Sequence, residues 1–551
     1  MKKFYLGCMI AVGMIACTEP NTPDNSGTSG DNTDTTTVVP TDSTIVTPTD
    51  TTITTTDTIR ITWSGASATI DGSNSGVTVS DASGYVTVNS TVKDITYILS
   101  GTGKGQISIY GTNRHQLILS NLSLTCSDGP AINNQCKKSC FVVLEGSNSL
   151  TDGSSYTTTE EDRKAAFFSE GQMIFSGNGS LTVKGNYKHA IASDDYIQFA
   201  ESTGTLTLTA ASDGIHANDG IYFDGGTFTI TAGSDGVQCD SLIVVNNGSL
   251  SISATADGIQ SDTASIAIHG GSITITNAGD KGITAYGDII ITDGTLRITS
   301  KYKCLKAGKK ENNKVVSAGK IDISGGDIQC ICTGTSSGGW GSSSSSSPEA
   351  IEAKGSITIS GGTIYAKSAD DAINSIGDMT ITGGFVCAYA TNNDGLDANG
   401  NLYIKGGLVY AIGSKSPEMA IDANTEGGKK LYISGGTVIA VGNLESGASI
   451  TNGTCKSTTS WNGENWYALY NGDALVTAFQ TPAKSTSGGG GPGGGGGGSQ
   501  KLVVYTSSTP ALKSGVTVSG GTAILNGMVN PTATVSGGSN VTLSNYSNSG
   551  W

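Results

Sequence analysis

One short acidic phrase returns at nearly constant spacing. Residues 212–218 read SDGIHAN, 234–240 read SDGVQCD and 256–262 read ADGIQSD, so Asp213, Asp235 and Asp257 are 22 residues apart. A lone Asp-Gly signals a turn, whereas a periodic one signals an architecture. The small residue before each Ile, Val or Leu extends the beat through Ala166, Ala190, Gly214, Gly236, Gly258, Gly282, Cys304, Ala350, Ala372, Gly395 and Ala420. The steps are 22 to 25 residues, except for one of 46 between Cys304 and Ala350, which holds one coil plus an insertion. Pairs such as Gly225-Gly226, Gly270-Gly271 and Gly383-Gly384 keep the same beat and supply tight corners.

Between these markers run short alternating strands such as Phe228-Thr229-Ile230 and Ile273-Thr274-Ile275, with no helical segment. Three short strands per 22–24 residues predict one coil of a right-handed parallel β-helix, an all-β fold, and exclude a βαβ sheet. A single coil cannot bury its own apolar face, and stacking supplies the partner. The predicted inward ladder is Ile191, Ile215, Val237, Ile259, Ile283, Leu305, Ile351, Ile373, Leu396 and Ile421. Small residues two further on (Ala217, Cys239, Ser261, Ala285, Ala307, Ala353) point inward as well. Function is then left to outward residues and corners.

The ends differ in composition. Met1-Lys2-Lys3 is basic, and Phe4 to Ala16 is apolar but too short to span a bilayer, as in a signal peptide. It ends in Met14-Ile15-Ala16-Cys17, which resembles a bacterial lipobox with Cys17 as the lipidated residue. Residues 1–17 therefore read as a lipoprotein signal, and the expected location is a bacterial membrane, outer membrane and cell surface, reached through the lipid alone. Residues 18–59 are rich in Thr, Asp, Pro and Ser, a disordered tether. Residues 60–484 are the β-helix, with a Ser/Gly loop at 333–347. A Gly-rich loop at 485–499 leads to strands at 500–551, expected to cap the open end of a monomeric stack.

Formal charge is −15, and no basic groove stands out to meet nucleic-acid phosphates. That balance suits a neutral polymer, or an acidic one bridged by a divalent cation. Nine cysteines lie outside the signal and show no paired CxxC spacing. Cys239, Cys330 and Cys332 read as small inward hydrophobes, and Cys136 and Cys140 could pair.

Stacking at about 4.8 Å turns Asp213, Asp235 and Asp257 into a vertical row, and Asp194, Asn218, Asp240 and Asp262 into a second. Bare carboxylates at that spacing repel by roughly 3 kcal/mol per pair at an effective dielectric of 20. Either the corners splay into water or a hard cation sits between coils. Glu349, Asp371 and Asp394 repeat the first position further along, and Glu352, Asn374, Asp397 and Asp422 lie three residues after the corner. All-oxygen ligands at short spacing point to Ca²⁺. Between the clusters the sign flips: Lys281, Lys303 and Lys306 could hold uronate carboxylates, or one could act as a base in a lyase. Tyr365, Tyr389, Tyr410 and Trp340 are candidate platforms for sugar faces.

The run LTDGSSYTTTEEDRKAAFFSEGQMIFSGNGSLTVKGNYKHAIASDD (150–195), followed by the SDGI coils, resembles secreted bacterial carbohydrate-binding β-helix proteins. These are pectate-lyase-like in fold. The resemblance spans roughly residues 75–510 and implies Ca²⁺ at Asp-rich corners and binding of cellulose-like or acidic pectic polymers. Lys303-Cys304-Leu305 departs from the D-G-[IV] pattern and interrupts any continuous metal row. Three readings follow: a surface-tethered polysaccharide-binding protein, a Ca²⁺-dependent polysaccharide lyase, and a structural adhesin without glycan affinity.

Overall fold

The computed structural model describes residues 52–55, 57–312, 314–335, 347–414, 418–484, 500–521, 523–525, 528–529 and 532–547. Cys17 and Trp340 lie outside them. Among the described residues every regular element is a strand, and no helix is long and apolar enough to cross a membrane.

Each coil contributes one strand to each of three parallel stacks. Sheet 1 carries the Asp-Gly phrase and runs through Ile215–Ala217, Val237–Cys239, Ile259–Ser261, Lys281–Ala285, Lys303–Ala307, Ile351–Ala353, Ile373–Ser375, Leu396–Ala398 and Ile421–Ala423. Sheet 2 contains strands such as Gly220–Phe223, Leu242–Val245 and Leu402–Ile404, and sheet 3 strands such as Thr227–Ala232 and Ser249–Ala254. Pairing is in register from coil to coil, with Ile215 beside Val237, Val237 beside Ile259 and Ile259 beside Ile283. The fold is thus the parallel β-helix expected from the periodicity.

The inward ladder from Ile191 to Ile421 is completely buried, and so are the small residues two positions on. Phe175, Phe199 and Phe223 stack inside sheet 2 at centroid distances of 5.0 and 5.1 Å. Cys239, Cys330 and Cys332 face this core as packing residues, while Cys136 and Cys140 are buried and unbridged. The corner glycines have two separate causes. Gly226 and Gly271 have φ of +90° and +77°, which L side chains rarely adopt. Gly236 is excluded by space instead: a Cβ there would lie 2.4 Å from Ile252 Cγ2 and 2.5 Å from the Gly258 carbonyl of the next coil.

The 46-residue step is one coil with additions. Ile321–Ile323 and Asp327–Cys332 continue sheets 2 and 3, and an antiparallel hairpin, Lys309–Glu311 with Lys314–Ser317, projects between sheets 1 and 2. Both ends of the stack finish in antiparallel pairings. Val77–Ala82 pairs antiparallel with Tyr85–Ser90 at the start of sheet 1. Leu502–Thr506 runs antiparallel to Thr437–Val441, the last strand of sheet 3, and to Thr454–Thr458. An antiparallel sheet that includes Trp466–Asn471, Ala474–Gln480 and Pro510–Ser519 then packs on the outer side of sheet 3. Its Tyr467, Leu469 and Phe479, with Trp461 just before it, meet Tyr410, Ile412, Ile439 and Val441 in a second core.

This packing makes inward and outward positions energetically distinct. Ile259→Ala should destabilise by about 2–5 kcal/mol in denaturant titration, and Thr229→Ala, outward on sheet 3, by no more than about 0.5 kcal/mol.

Candidate functional site

The outer side of sheet 1 carries two parallel columns. The corner column reads His189, Asp213, Asp235, Asp257, Lys281, Lys303, Glu349, Asp371, Asp394 and Met419. The outward column, three residues on, reads Ala192, His216, Gln238, Gln260, Thr284, Lys306, Glu352, Asn374, Asp397 and Asp422.

The first acidic row does not splay into water. Asp213, Asp235 and Asp257 are buried, and each carboxylate accepts a backbone N–H from the corner residue of the next coil. Asp235 N–H donates to Asp213 Oδ1 at 3.1 Å, Asp257 N–H to Asp235 Oδ1 at 2.7 Å, and Lys281 N–H to Asp257 Oδ1 at 2.8 Å. The same link joins Asp394 N–H to Asp371 Oδ1 at 3.1 Å, and Met419 N–H to Asp394. An aspartate at the corner therefore satisfies an amide that the turn would otherwise bury unpaired. The periodic phrase is first a structural device.

Their charges are balanced unequally. Burial pushes Asp213 upward, but His189 and His216 outweigh it and hold the carboxyl well below its usual range. Asp257 faces Lys281 Nζ at 3.5 Å. Asp235 has neither, and burial, with the charges of Asp257 and Asp213, pushes it up to about 7. The other predicted row lies further out: Asp194 pairs with Lys164 at 2.5 Å, and Gln238 Nε2 donates to both exposed Asp240 and Asp262, at 3.1 and 2.8 Å.

The second cluster is more concentrated. Glu349, Glu352, Asp371 and Asp394 are buried, and Asp397 and Asp422 are half-buried. Lys303 neutralises one end, 2.8 Å from Glu349 and 3.5 Å from Glu352, with Lys354 also on Glu352. Beyond that end, Asn374 Nδ2 donates to Asp371 at 2.9 Å and to Asp397 at 3.0 Å. Burial is the main cause that raises Glu349 to about 7, Asp394 to about 8, Asp397 to about 6 and Asp422 to about 9. Neighbouring carboxylates add to it, and Asp422 also shares a hydrogen bond with Glu445.

The lysines divide by role. Lys281 and Lys303 sit in ion pairs that hold their ammonium forms despite burial. Lys306 Nζ donates to the Gly308 carbonyl at 3.1 Å, and burial, with the charges of Lys281, Lys354 and Lys303, lowers it. Lys281 and Lys306 line a shallow cleft of about 180 Å³ with Asp257, Gln260, Asp262 and Tyr286.

The aromatic expectation needs correction. Tyr410 is 2% exposed and belongs to the second core, its hydroxyl donating to the Gln480 carbonyl at 2.9 Å; it is no sugar platform. Tyr365 and Tyr389 are half-buried at the margin of the same core. The signal was available: Leu408–Ile412 and Thr437–Val441 lose polar alternation, as strands covered on both faces do. An unanticipated pair, Tyr403 and Tyr432, stacks on the outer side of sheet 2 with centroids 5.0 Å apart and planes at 11°. Their recurrence in LYI at 402–404 and 431–433 could have marked them. His189 and His216 were not anticipated either, because they occupy different columns of the repeat and no periodic signal joins them.

Asp235→Asn keeps an acceptor for the Asp257 amide and removes a repelling charge, so it should be neutral or stabilising. Asp235→Ala orphans the amide and should cost about 1–3 kcal/mol in denaturant titration. Despite burial, Lys303 and Lys354 hold Glu352 of the second cluster below its usual range, whereas Glu349, Asp371, Asp394, Asp397 and Asp422 bind protons more tightly folded than unfolded. Their stabilisation is complete below the unfolded value near 4 and is lost as pH rises through about 6 to 9. In chelator, Tm should fall from pH 5 to pH 9.

Comparison with known proteins places these columns in a family. No curated protein matches the chain. A solved polysaccharide lyase-like protein from C. thermocellum, studied as a gadolinium derivative, is similar at 22% identity over 50% of this chain and 95% of that one, with a TM-score of 0.31. A family model described as carbohydrate-binding domain-containing protein matches residues 82–307 and 243–395. Together these cover more than half of the sequence, including the corner column from His189 to Asp394, and the chain belongs to this family of carbohydrate-binding domain-containing proteins.

Proposed function

We propose that this protein is a lipid-anchored, cell-surface polysaccharide-binding protein whose second acidic cluster is held together by Ca²⁺. Family membership supports the carbohydrate. The observation that carries the cation is the set Asp371, Asp394, Asp397 and Asp422: Asn374 bridges Asp371 and Asp397 as a neutral donor, and none of the four has a lysine partner among the described ion pairs. Glu352 Oε2 borders this set, buried and accepting no hydrogen bond, with Lys303 Nζ 3.5 Å away. An all-oxygen donor set fits a hard cation, with water completing the shell. These residues would hold the ion, and the ion would supply positive charge both to the stack and to a bound uronate. The first row, unlike this set, is balanced at its ends by His189, His216 and Lys281, and it is not assigned to Ca²⁺.

The polymer lies along the outer side of sheet 1, where an extended chain collects many small contacts without a deep pocket. Lys306 is suited to a uronate carboxylate, since its amine rests on a carbonyl rather than in an ion pair. A lipidated Cys17 would anchor the chain to the membrane through the Thr-rich segment that follows it.

A second reading, a polysaccharide lyase, rests on the lowered amine of Lys306 beside Tyr286 in the cleft. It requires unsaturated, ultraviolet-absorbing products from polyuronates, lost in Lys306→Ala; their absence rejects it.

Affinity electrophoresis against polygalacturonate and cellulose derivatives tests the main reading. Ca²⁺ should raise Tm at pH 8 and tighten retention by polygalacturonate, and Asp371→Asn with Asp394→Asn should remove both effects. Lys306→Ala should weaken retention by polygalacturonate several-fold and spare a neutral glycan. No retention by any polysaccharide would overturn the binding role, and a Tm indifferent to Ca²⁺ would overturn the metal.

A further inference from the structure

At the start of the corner column the ligand chemistry changes. His189 precedes Asp213 by one coil, and His216 lies three residues after it on the outward column. His189 Nδ1 is 3.0 Å from Asp213 Oδ2, and His216 Nδ1 is 3.3 Å from the same oxygen. Among the described residues, these are the ones that bring three metal-ligating atoms within 4.8 Å of one another. The two imidazoles stack at 4.4 Å and 22°, and both present Nδ1 to Asp213 Oδ2. We infer that His189, Asp213 and His216 form a site for one borderline divalent transition metal ion, of the Zn²⁺ class, clamping two successive coils and separate from the Ca²⁺ cluster.

Three observations support the assignment. Two imidazole nitrogens and one carboxylate oxygen suit Zn²⁺ and its neighbours, whereas Ca²⁺ takes oxygen alone. Metal bonds of 2.0–2.1 Å in a tetrahedral site set neighbouring ligand atoms about 3.3 Å apart, close to the two separations found here. Finally, hydrogen bonds alone serve the trio poorly. The amide N–H of Asp213 faces His189 Nδ1 at 3.4 Å and asks it to accept, while Asp213 Oδ2 at 3.0 Å asks it to donate. One contact must be unfavourable in either tautomer, and a cation between the lone pairs removes the conflict with Oδ2. The carboxylate is already aimed, because its other oxygen accepts Asp235 N–H at 3.1 Å. The His216 side chain is 16% exposed, which leaves the site open to solvent on one side.

The test uses the tag-free full chain, stripped with chelator and titrated with ZnCl₂, CoCl₂ or CaCl₂. Isothermal titration should find one Zn²⁺ site that excess CaCl₂ does not compete for. Bound Co²⁺ should give the visible absorption of a low-coordinate N/O site, and Tm should rise with Zn²⁺. His189→Gln and His216→Gln should each abolish the Co²⁺ spectrum and weaken Zn²⁺ binding at least tenfold. His216 lies at the surface edge, so His216→Gln decides the matter should His189→Gln fail to fold. Absence of Zn²⁺ binding, or Zn²⁺ binding unchanged in a folded His216→Gln variant, overturns the inference.

Discussion

The hydrogen-bonded stacking of coils about 4.8 Å apart is the constraint on which everything else rests. It lets small apolar residues make a long core, since each Ile or Val of sheet 1 lies against its equivalent in the next coil. It also forces outward residues of like type into contact. A repeated aspartate becomes a column of carboxylates whether or not any ligand is present, and the chain must settle the electrostatic consequence locally.

Three settlements occur along one edge. In the first row the carboxylates accept backbone amides, so their burial serves the corner, and histidine or lysine balances the ends at Asp213 and Asp257. In the middle, lysines replace aspartates, and Lys303 binds Glu349 and Glu352 of the following coil. In the second cluster Asp371 and Asp394 also accept backbone amides, but among the described ion pairs no lysine or histidine balances Asp371, Asp394, Asp397 and Asp422, whose charge is left to protons or to a cation. The charge pattern of the column thus separates a stretch balanced by its own histidines and lysines from one whose carboxyls are crowded without such partners.

Much of this was legible before any coordinates. The 22-residue beat gave the coils, the inward ladder and the stacking of Asp213 on Asp235 on Asp257, because a period maps directly onto a neighbour. What the beat could not give was the direction of each side chain at the corner. Whether an aspartate reaches for water, an ion or the next amide depends on turn geometry, and the amide linkage was therefore not foreseen. Tyr410 was misassigned for a related reason: outward on a β-helix means exposed only if nothing else packs there, and the C-terminal sheet covers that part of sheet 3. His189 shares the corner column with Asp213, but its value lies in a convergence with His216 that only three-dimensional placement reveals.

Anomalous difference density from crystals grown with Ca²⁺ near neutral pH, recorded at long wavelength, examines the central claim most directly. The account places a calcium peak among Asp371, Asp394, Asp397 and Asp422, and none between Asp235 and Asp257, where Lys281 already supplies a cation to Asp257. A map with the second cluster empty while calcium occupied the first row would contradict it.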